Sequence, residues 1–149
     1  MCHTTVTIKW KKIHREAVIP SYVHEGDAGF DFTSIEDVVL TPYERKIVKT
    51  GLKVEIPPGY EMQIRPRSGI SLKTPVLIAN APGTIDSGYR GELGIIVLNN
   101  GGSEYKIEKG ERIAQGVIKE VIPVIHIEVD ELSETVRGEG GFGSTGKNR

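Results

Sequence analysis

Apolar and polar side chains alternate along several stretches of this chain. The first begins at Val6, where Val6, Ile8 and Trp10 are separated by Thr7 and Lys9. A period of two is typical of a strand with one buried face, because successive side chains of a strand point to opposite sides. The same pattern predicts strands at residues 52–56, 60–64 and 125–129, and two apolar runs predict strands at 75–79 and 93–98.

Residues that favour turns separate these runs. Pro, Gly and Asn are concentrated at residues 57–59, 81–83, 99–102 and 109–110. Short strands divided in this way are typical of an all-β sandwich or barrel. The only helix that the sequence suggests is a turn or two at residues 68–72.

Charge and cysteine content narrow the range of partners. With 19 basic and 20 acidic side chains in 149 residues, the net charge is -1, so we expect no nucleic acid and no membrane as main partner. The lone Cys2 excludes an intrachain disulfide and favours a reducing, cytoplasmic location. Residues 1–12 lack the apolar segment of a secretory signal, and no apolar run is long enough to cross a bilayer. The length predicts one domain.

Residues 137–146 (RGEGGFGSTG) contain five glycines in ten positions. Glycine loses the most backbone entropy on ordering, so this stretch is unsuited to a helix or a packed strand. Its backbone N–H groups can converge on an anion, its Arg and hydroxyl groups can add hydrogen bonds, and Phe142 offers a flat face to a ring. Two interpretations remain open, a disordered tail and an arm that closes over a ligand.

A second glycine-rich segment, residues 80–92 (NAPGTIDSGYRGE), lies between two predicted strands. Loops held by rigid strands often carry binding and catalytic groups. Asp86 is a candidate general base for an attacking water, and Tyr89 is a candidate surface for a sugar or base. The alternative is a plain hairpin whose Asp, Ser and Gly serve only the turn geometry.

Residues 65–69 (RPRSG) bring a guanidinium, a hydroxyl and a backbone N–H close together. This combination suits an oxyanion or a phosphate, although such triplets are also common in surface turns. The chain has neither a P-loop nor a Gly-x-Gly-x-x-Gly motif, so the familiar α/β phosphate sites are excluded.

In order along the chain, five segments resemble the motifs of the trimeric dUTP diphosphatase (dUTPase) family. They are residues 28–32 (AGFDF), 66–69 (PRSG), 83–92 (GTIDSGYRGE), 110–115 (GERIAQ) and 137–146. The resemblance covers residues 27–146 and implies a jelly-roll-like antiparallel β-barrel or sandwich that forms a homotrimer. It also implies hydrolysis of dUTP to dUMP and pyrophosphate with Mg²⁺ on the phosphates, which lowers dUTP and supplies dUMP for thymidylate synthesis.

The resemblance implies a role for each matched residue. Asp86 is expected to orient the attacking water at the α-phosphorus, Tyr89 to lie under the deoxyribose, and Asp31 to help hold Mg²⁺ through water. Uracil is expected to be recognised by Asn80 and the backbone of Gly94, and to stack on Phe142.

The resemblance also implies which residues contact the phosphates and line the site. The expected phosphate contacts are Arg67, Ser68, Gly69 and Gln115, with Arg137, Ser144 and Thr145 on the outer phosphates. The further substrate-binding positions are Gly83, Thr84, Ile85 and Gly143. We expect a single domain over residues 1–149, with a β core at 1–130 and a C-terminal arm at 131–149 that closes a neighbouring subunit's site.

Other functions are open to this sequence. The sister activity, dCTP deaminase, typically has Arg-Ser-Ser in the second motif and lacks the Phe-containing arm, whereas Gly69 follows Ser68 here. A non-catalytic trimer or a nucleotide-sensing protein is the third possibility, although it does not require Asp86, Arg67 and Arg137 together. The four histidines have no metal-ligand spacing and are expected at the surface.

Overall fold

The structure is a computed structural model that describes residues 5–146. In this range the chain forms eleven strands and one short helix. The strands are β1 (Lys9–Lys12), β2 (Phe30–Thr33), β3 (Val38–Leu40), β4 (Arg45–Lys49), β5 (Leu52–Glu55), β6 (Tyr60–Arg65), β7 (Val76–Ile78), β8 (Gly83–Ile85), β9 (Gly94–Asn99), β10 (Tyr105–Ile107) and β11 (Arg112–Glu120). The helix is α1 (Ser68–Lys73).

All strand pairs are antiparallel and form four small sheets. The largest has the order β2-β11-β6-β8, the next has the order β4-β9-β7, and β1-β5 and β10-β3 form separate pairs. Because paired strands are mostly not consecutive in sequence, the chain passes repeatedly from one sheet to another. This arrangement confirms the predicted all-β, jelly-roll-like antiparallel fold.

The core lies between the inner faces of these sheets. Alternate residues of several strands are buried, as at Met62 and Ile64 of β6 and Ile95 and Val97 of β9. Trp10 closes one end of the core, because its ring packs edge-on against Phe32, with ring centroids 6.0 Å apart. Such burial of apolar surface is the main stabilising contribution to a fold of this size.

Helix α1 is the short helix predicted at residues 68–72. It follows Arg67, which has extended backbone dihedrals, and ends where the Thr74 backbone N–H donates to the Ile70 carbonyl at 3.0 Å. The Thr74 hydroxyl donates to the same carbonyl at 2.8 Å. In the part of the chain that the structure describes, no helix has the length and hydropathy needed to span a membrane.

The predicted strand at residues 125–129 is wrong. Regular structure ends with β11 at Glu120, and Ile125, Ile127 and Val129 are exposed. A strand requires a partner for its backbone hydrogen bonds, and none of the described strands pairs with this segment. The predicted strand at Val6 is partly wrong for a related reason, since β1 pairs with β5 only from Lys9 onward.

Candidate active site

The first group of predicted site residues meets where β2, β6 and β11 run side by side. Gln115 of β11 lies opposite Asp31 of β2 on one side and Arg65 of β6 on the other. The polypeptide continues from Arg65 through Pro66 into α1, so Arg67 arrives beside the same strand ends. Residues that are far apart in sequence therefore share one end of the largest sheet.

Asp31 holds two arginines at this position. Its Oδ1 accepts from Arg67 Nε at 2.9 Å, and its Oδ2 accepts from Arg112 Nη1 at 3.2 Å. Arg67 Nη1 also donates to the Arg112 carbonyl at 3.1 Å. The two guanidinium groups exceed the one carboxylate to which they are bonded, and Asp27 adds a second carboxylate to the cleft beside them.

Arg112 is the residue of this cluster to which sequence reasoning assigned no role. Strict alternation along β11 puts Arg112 and Gln115 on opposite faces, because they are three positions apart. However, β11 changes register between Arg112 and Ala114, so that Arg112 lies opposite Thr33 and Gln115 lies opposite Asp31. Thr33 and Asp31 are two apart on β2 and share a face, and the bulge in β11 therefore brings Arg112 to the face on which Asp31 and Gln115 lie.

The cleft at this end of the sheet has a volume of about 370 Å³. Its lining includes most of the predicted phosphate contacts and the predicted metal acid, namely Asp31, Arg67, Ser68, Gly69 and Gln115. Gln115 is held in place because its Nε2 donates to the Pro66 carbonyl at 2.9 Å. Gly29 leaves room for it, since a Cβ at position 29 would overlap Gln115 Oε1.

A larger groove of about 810 Å³ lies elsewhere, against Trp10, Tyr22 and Phe30. It contains none of the predicted site residues. The volume of a groove does not by itself indicate a catalytic site. The smaller cleft beside Arg67 is the better candidate for binding an anionic substrate.

The hydrogen bonds of Asp31 limit how its carboxylate could bind the predicted Mg²⁺. Both carboxylate oxygens already accept from guanidinium groups, and residues 5–146 contain no group of three or more His, Cys, Asp or Glu side chains suited to a metal. These residues do not fit a directly ligated resident ion. They fit only a water-mediated contact to an ion that arrives on the substrate's phosphates, as Mg²⁺ commonly does.

The second group of predicted residues lies on the hairpin that joins β7 to β9 through β8. Asn80 lies over the buried Gly83, with its Nδ2 3.2 Å from where a Cβ of Gly83 would be. Thr84 and the half-buried Ile85 complete β8, and the exposed Asp86 follows directly. Beyond the loop, Gly94 begins β9 opposite Lys49.

One chain keeps Asp86 away from Arg67, although Ala81 and Pro82 of the hairpin line a small pocket together with Gln115. In the β6–β8 pair, Ile64 lies opposite Gly83 and Met62 lies opposite Ile85, so Asp86 is level with the start of β6. Arg67 lies beyond the other end of β6, six positions further on than Glu61. At about 3.3 Å per residue, Asp86 and Arg67 are roughly 20 Å apart along the sheet.

The glycine-rich arm forms a third group. Its hydrogen bonds are local: Arg137 Nε donates to the Gly140 carbonyl at 2.9 Å, and the Ser144 N–H donates to the Gly141 carbonyl at 3.0 Å. Phe142 is fully exposed. Within residues 5–146, no hydrogen bond joins the segment after Asp130 to the sheets, so the arm, with Gly143 and Thr145, stands apart from both other groups.

The histidines agree with their predicted surface location where the structure describes them. His14, His24 and His126 are exposed, and His3 lies outside the described residues.

Known proteins with similar sequences and structures indicate the family of this chain. A family model described as dUTPase matches residues 15–146. The chain is similar to the deoxyuridine 5'-triphosphate nucleotidohydrolase of Clostridium novyi, with 54% identity over 136 residues that cover 91% of this chain and 96% of the relative. It is similar to the structure of Staphylococcus bacteriophage 80alpha dUTPase with dUpNHpp, with 37% identity, a TM-score of 0.89, and coverage of 96% of this chain and 100% of that chain. It is also similar to a mutant dUTPase from phage phi11 of S. aureus, described for its coordination of a structural Mg(II) ion, with 33% identity, a TM-score of 0.78, and coverage of 84% and 97%.

Proposed function

The chain belongs to the dUTPase family, and from this premise we propose that it works as a homotrimer that hydrolyses dUTP to dUMP and pyrophosphate. In the cell this reaction lowers dUTP and supplies dUMP for thymidylate synthesis. The observation that carries the proposal is the polar cleft in which Arg67, Ser68, Gly69 and Gln115 meet. Arg67 suits a triphosphate, since a guanidinium group can bind two phosphate oxygens at once.

The phosphate chain binds across the start of α1 in this proposal. Arg67, the Ser68 hydroxyl, the Gly69 backbone and the Gln115 amide contact its oxygens. The hydrogen bond from Gln115 to the Pro66 carbonyl fixes the orientation of the Gln115 amide before substrate binds. Phosphoryl transfer depends mainly on such positioning and on charge stabilisation.

Asp86 acts as the general base. Its carboxylate takes a proton from the water that attacks the α-phosphorus, and the electron pair of the breaking P–O bond leaves with pyrophosphate. The exposed position of Asp86 beside the hairpin loop is compatible with access to water and substrate. No covalent intermediate is required.

The hairpin selects the nucleoside. Asn80 and the Gly94 backbone hydrogen-bond the uracil edge, and cytosine is rejected because it exchanges donor and acceptor at its 4-position. Gly83, Thr84 and Ile85 line the hairpin, and Tyr89 lies under the deoxyribose. Mg²⁺ carried on the phosphates would neutralise part of their charge, and Asp31 would hold it through water.

The homotrimer accounts for the separation of the two groups of residues. Roughly 20 Å between Asp86 and Arg67 in one chain exceeds the distance from an α-phosphate to its neighbouring phosphates, so one chain cannot supply both. We propose that each site combines the hairpin of one subunit with the cleft beside Arg67 of a second. The arm then closes the site with Arg137, Ser144 and Thr145 on the outer phosphates, Gly143 beside them and Phe142 on uracil, which excludes bulk water.

Product analysis tests the proposed function directly. Purified protein with Mg²⁺ is incubated separately with dUTP, dCTP, dTTP and UTP, and dUMP, pyrophosphate and ammonia are measured. We expect dUMP and pyrophosphate from dUTP alone. Ammonia from dCTP would instead indicate the deaminase activity, and no turnover by a folded oligomer would indicate a binding or structural role.

A further inference from the structure

The ring of Tyr89 is held by its own loop. The Tyr89 N–H donates to the Asp86 carbonyl at 3.1 Å, which closes a tight turn, and its hydroxyl donates to the Glu92 carbonyl at 2.9 Å. Arg90 Nη1 adds bonds to the carbonyls of Ser87 at 2.6 Å and Tyr89 at 2.9 Å. Both ends of the tyrosine, backbone and hydroxyl, are therefore restrained within residues 86–92.

Gly91 provides the space into which this ring folds. A Cβ at position 91 would overlap the Tyr89 hydroxyl and lie 2.5 Å from Tyr89 Cζ. Real Cβ atoms do not approach other atoms so closely, so any side chain here forces the ring to move. Gly88, three residues earlier in the same loop, has nothing within 4 Å of the corresponding Cβ position.

Glu92 connects the loop to the body of the fold. Its Oε1 accepts from the Gly51 N–H at 3.0 Å, in the turn between β4 and β5. That turn is itself rigid, because the buried Thr50 donates from its hydroxyl to the Leu93 carbonyl at 2.7 Å. Gly51 has a φ of 67°, a conformation that favours glycine. The side chain of Glu92 thus holds the carbonyl to which Tyr89 is bonded.

We propose that Gly91 and Glu92 are positioning residues that set the preference for deoxyribose over ribose by holding the Tyr89 ring. The proposal rests on the function proposed above, in which Tyr89 lies under the sugar. Rejecting a single 2′-hydroxyl by exclusion requires a surface held to within about 0.5 Å, and an unrestrained, half-exposed tyrosine would move aside. The contacts of Gly91 and Glu92 supply that restraint without touching the substrate themselves.

Substitution of Gly91 tests the proposal against a matched control in the same loop. For the wild type, Gly91→Ala and Gly88→Ala, kcat/KM is measured with dUTP and with UTP. We expect Gly91→Ala to reduce the preference for dUTP by about tenfold or more, while Gly88→Ala keeps the wild-type preference. Calorimetric binding of dUMP and UMP gives the same comparison independently of turnover.

A second pair of variants separates positioning from general damage. Glu92→Ala removes the acceptor for the Gly51 N–H, whereas Glu92→Gln retains an oxygen there. We expect the preference to fall in Glu92→Ala and to be restored in Glu92→Gln. If Gly91→Ala does not fold, the comparison of Glu92→Ala with Glu92→Gln tests the positioning role by itself.

Two results would overturn the proposal. One is an unchanged preference for dUTP in both Gly91→Ala and Glu92→Ala. The other is an equal loss of activity with dUTP and UTP, which would show that the loop supports activity without sensing the sugar. A wild type that neither turns over dUTP nor binds dUMP would refute the proposed function itself, and the positioning role with it.

Discussion

Asp31 shows how much a single side chain depends on its neighbours. In sequence it is an isolated acid between two phenylalanines, and in the structure it accepts from Arg67 and Arg112. A carboxylate bonded to two guanidiniums fixes the direction in which both cations point. Its role in the cleft is therefore to position cations, besides any water-mediated contact to a metal.

Asp86→Asn tests the proposed base. The amide keeps the size of the side chain but cannot accept the proton of the attacking water, so kcat should fall by about 10²–10⁴-fold. Binding of dUMP and the oligomeric state should stay unchanged. The exposed Asp130 provides a control through Asp130→Asn, and near-normal hydrolysis by Asp86→Asn would refute the assignment.

Asn99 is a buried polar residue that the structure assigns to stability. Its Nδ2 donates to the carbonyls of Leu40 at 3.1 Å, Thr41 at 3.2 Å and Ser103 at 2.8 Å, and its Oδ1 accepts from the Gly101 N–H at 2.9 Å. It thereby joins the end of β9 to the end of β3.

We expect Asn99→Ala to destabilise the fold by about 3 kcal/mol, because it removes a fully buried side chain and leaves the buried Leu40 carbonyl and three part-buried backbone groups without this partner. Chemical denaturation measures this loss. The neighbouring Asn100 is exposed, and Asn100→Ala should change stability little. Equal stability of the two variants would contradict the role given to Asn99.

Among the elements, β11 decides which side chains reach Asp31. Its bulge between Arg112 and Ala114 buries both Ile113 and Ala114 and turns Arg112 toward Asp31. The short helix α1 contributes in another way, since it reverses the chain after β6 and leaves Arg67 against β2. Neither effect follows from alternation alone.

The arm is the element whose removal should separate folding from activity. A chain that ends at Leu132 loses the whole glycine-rich segment, which makes no hydrogen bond to the sheets in the described part of this chain. We expect a folded protein with nearly wild-type thermal stability and severely reduced kcat/KM for dUTP. A chain that ends at Gly146 serves as control, and failure of the shorter chain to fold would make the arm structural.

At the scale of the whole molecule, the site is divided between two ends of one sheet. The hairpin with Asp86 lies near the start of β6, and Arg67 follows its end. Closed cyclic symmetry would bring the two ends together between neighbouring copies, once for every subunit. Oligomerisation is therefore a condition of activity in our proposal.

Mixed trimers test this division. Asp86→Asn and Arg67→Ala subunits should each be inactive alone, but co-expression should restore activity, because some sites then combine an intact hairpin with an intact cleft. With random assembly, about a quarter of the sites should be intact. Co-expression of two differently tagged Asp86→Asn chains is the control. No recovery in verified mixed trimers would mean that each site is formed by one chain.

The sequence by itself determined the fold class, the short helix and five of the eleven described strands, one of them only in part, because period-two burial and turn residues are local properties. It also determined the family, because the five motifs and their order can be read from the sequence without any coordinates. The sequence did not determine which strands pair. Alternation at residues 125–129 predicted a strand, but no described strand pairs with this segment. Only the tertiary structure decided that Asp31 meets Arg67 and Arg112, that Gly91 and Glu92 hold Tyr89, and that Asp86 lies far from Arg67. The contacts of Tyr89 with Gly91 and Glu92 are local but depend on the conformation of the loop. The others are set between distant positions by register, bulges and packing, and such contacts have no signature within a local stretch of sequence.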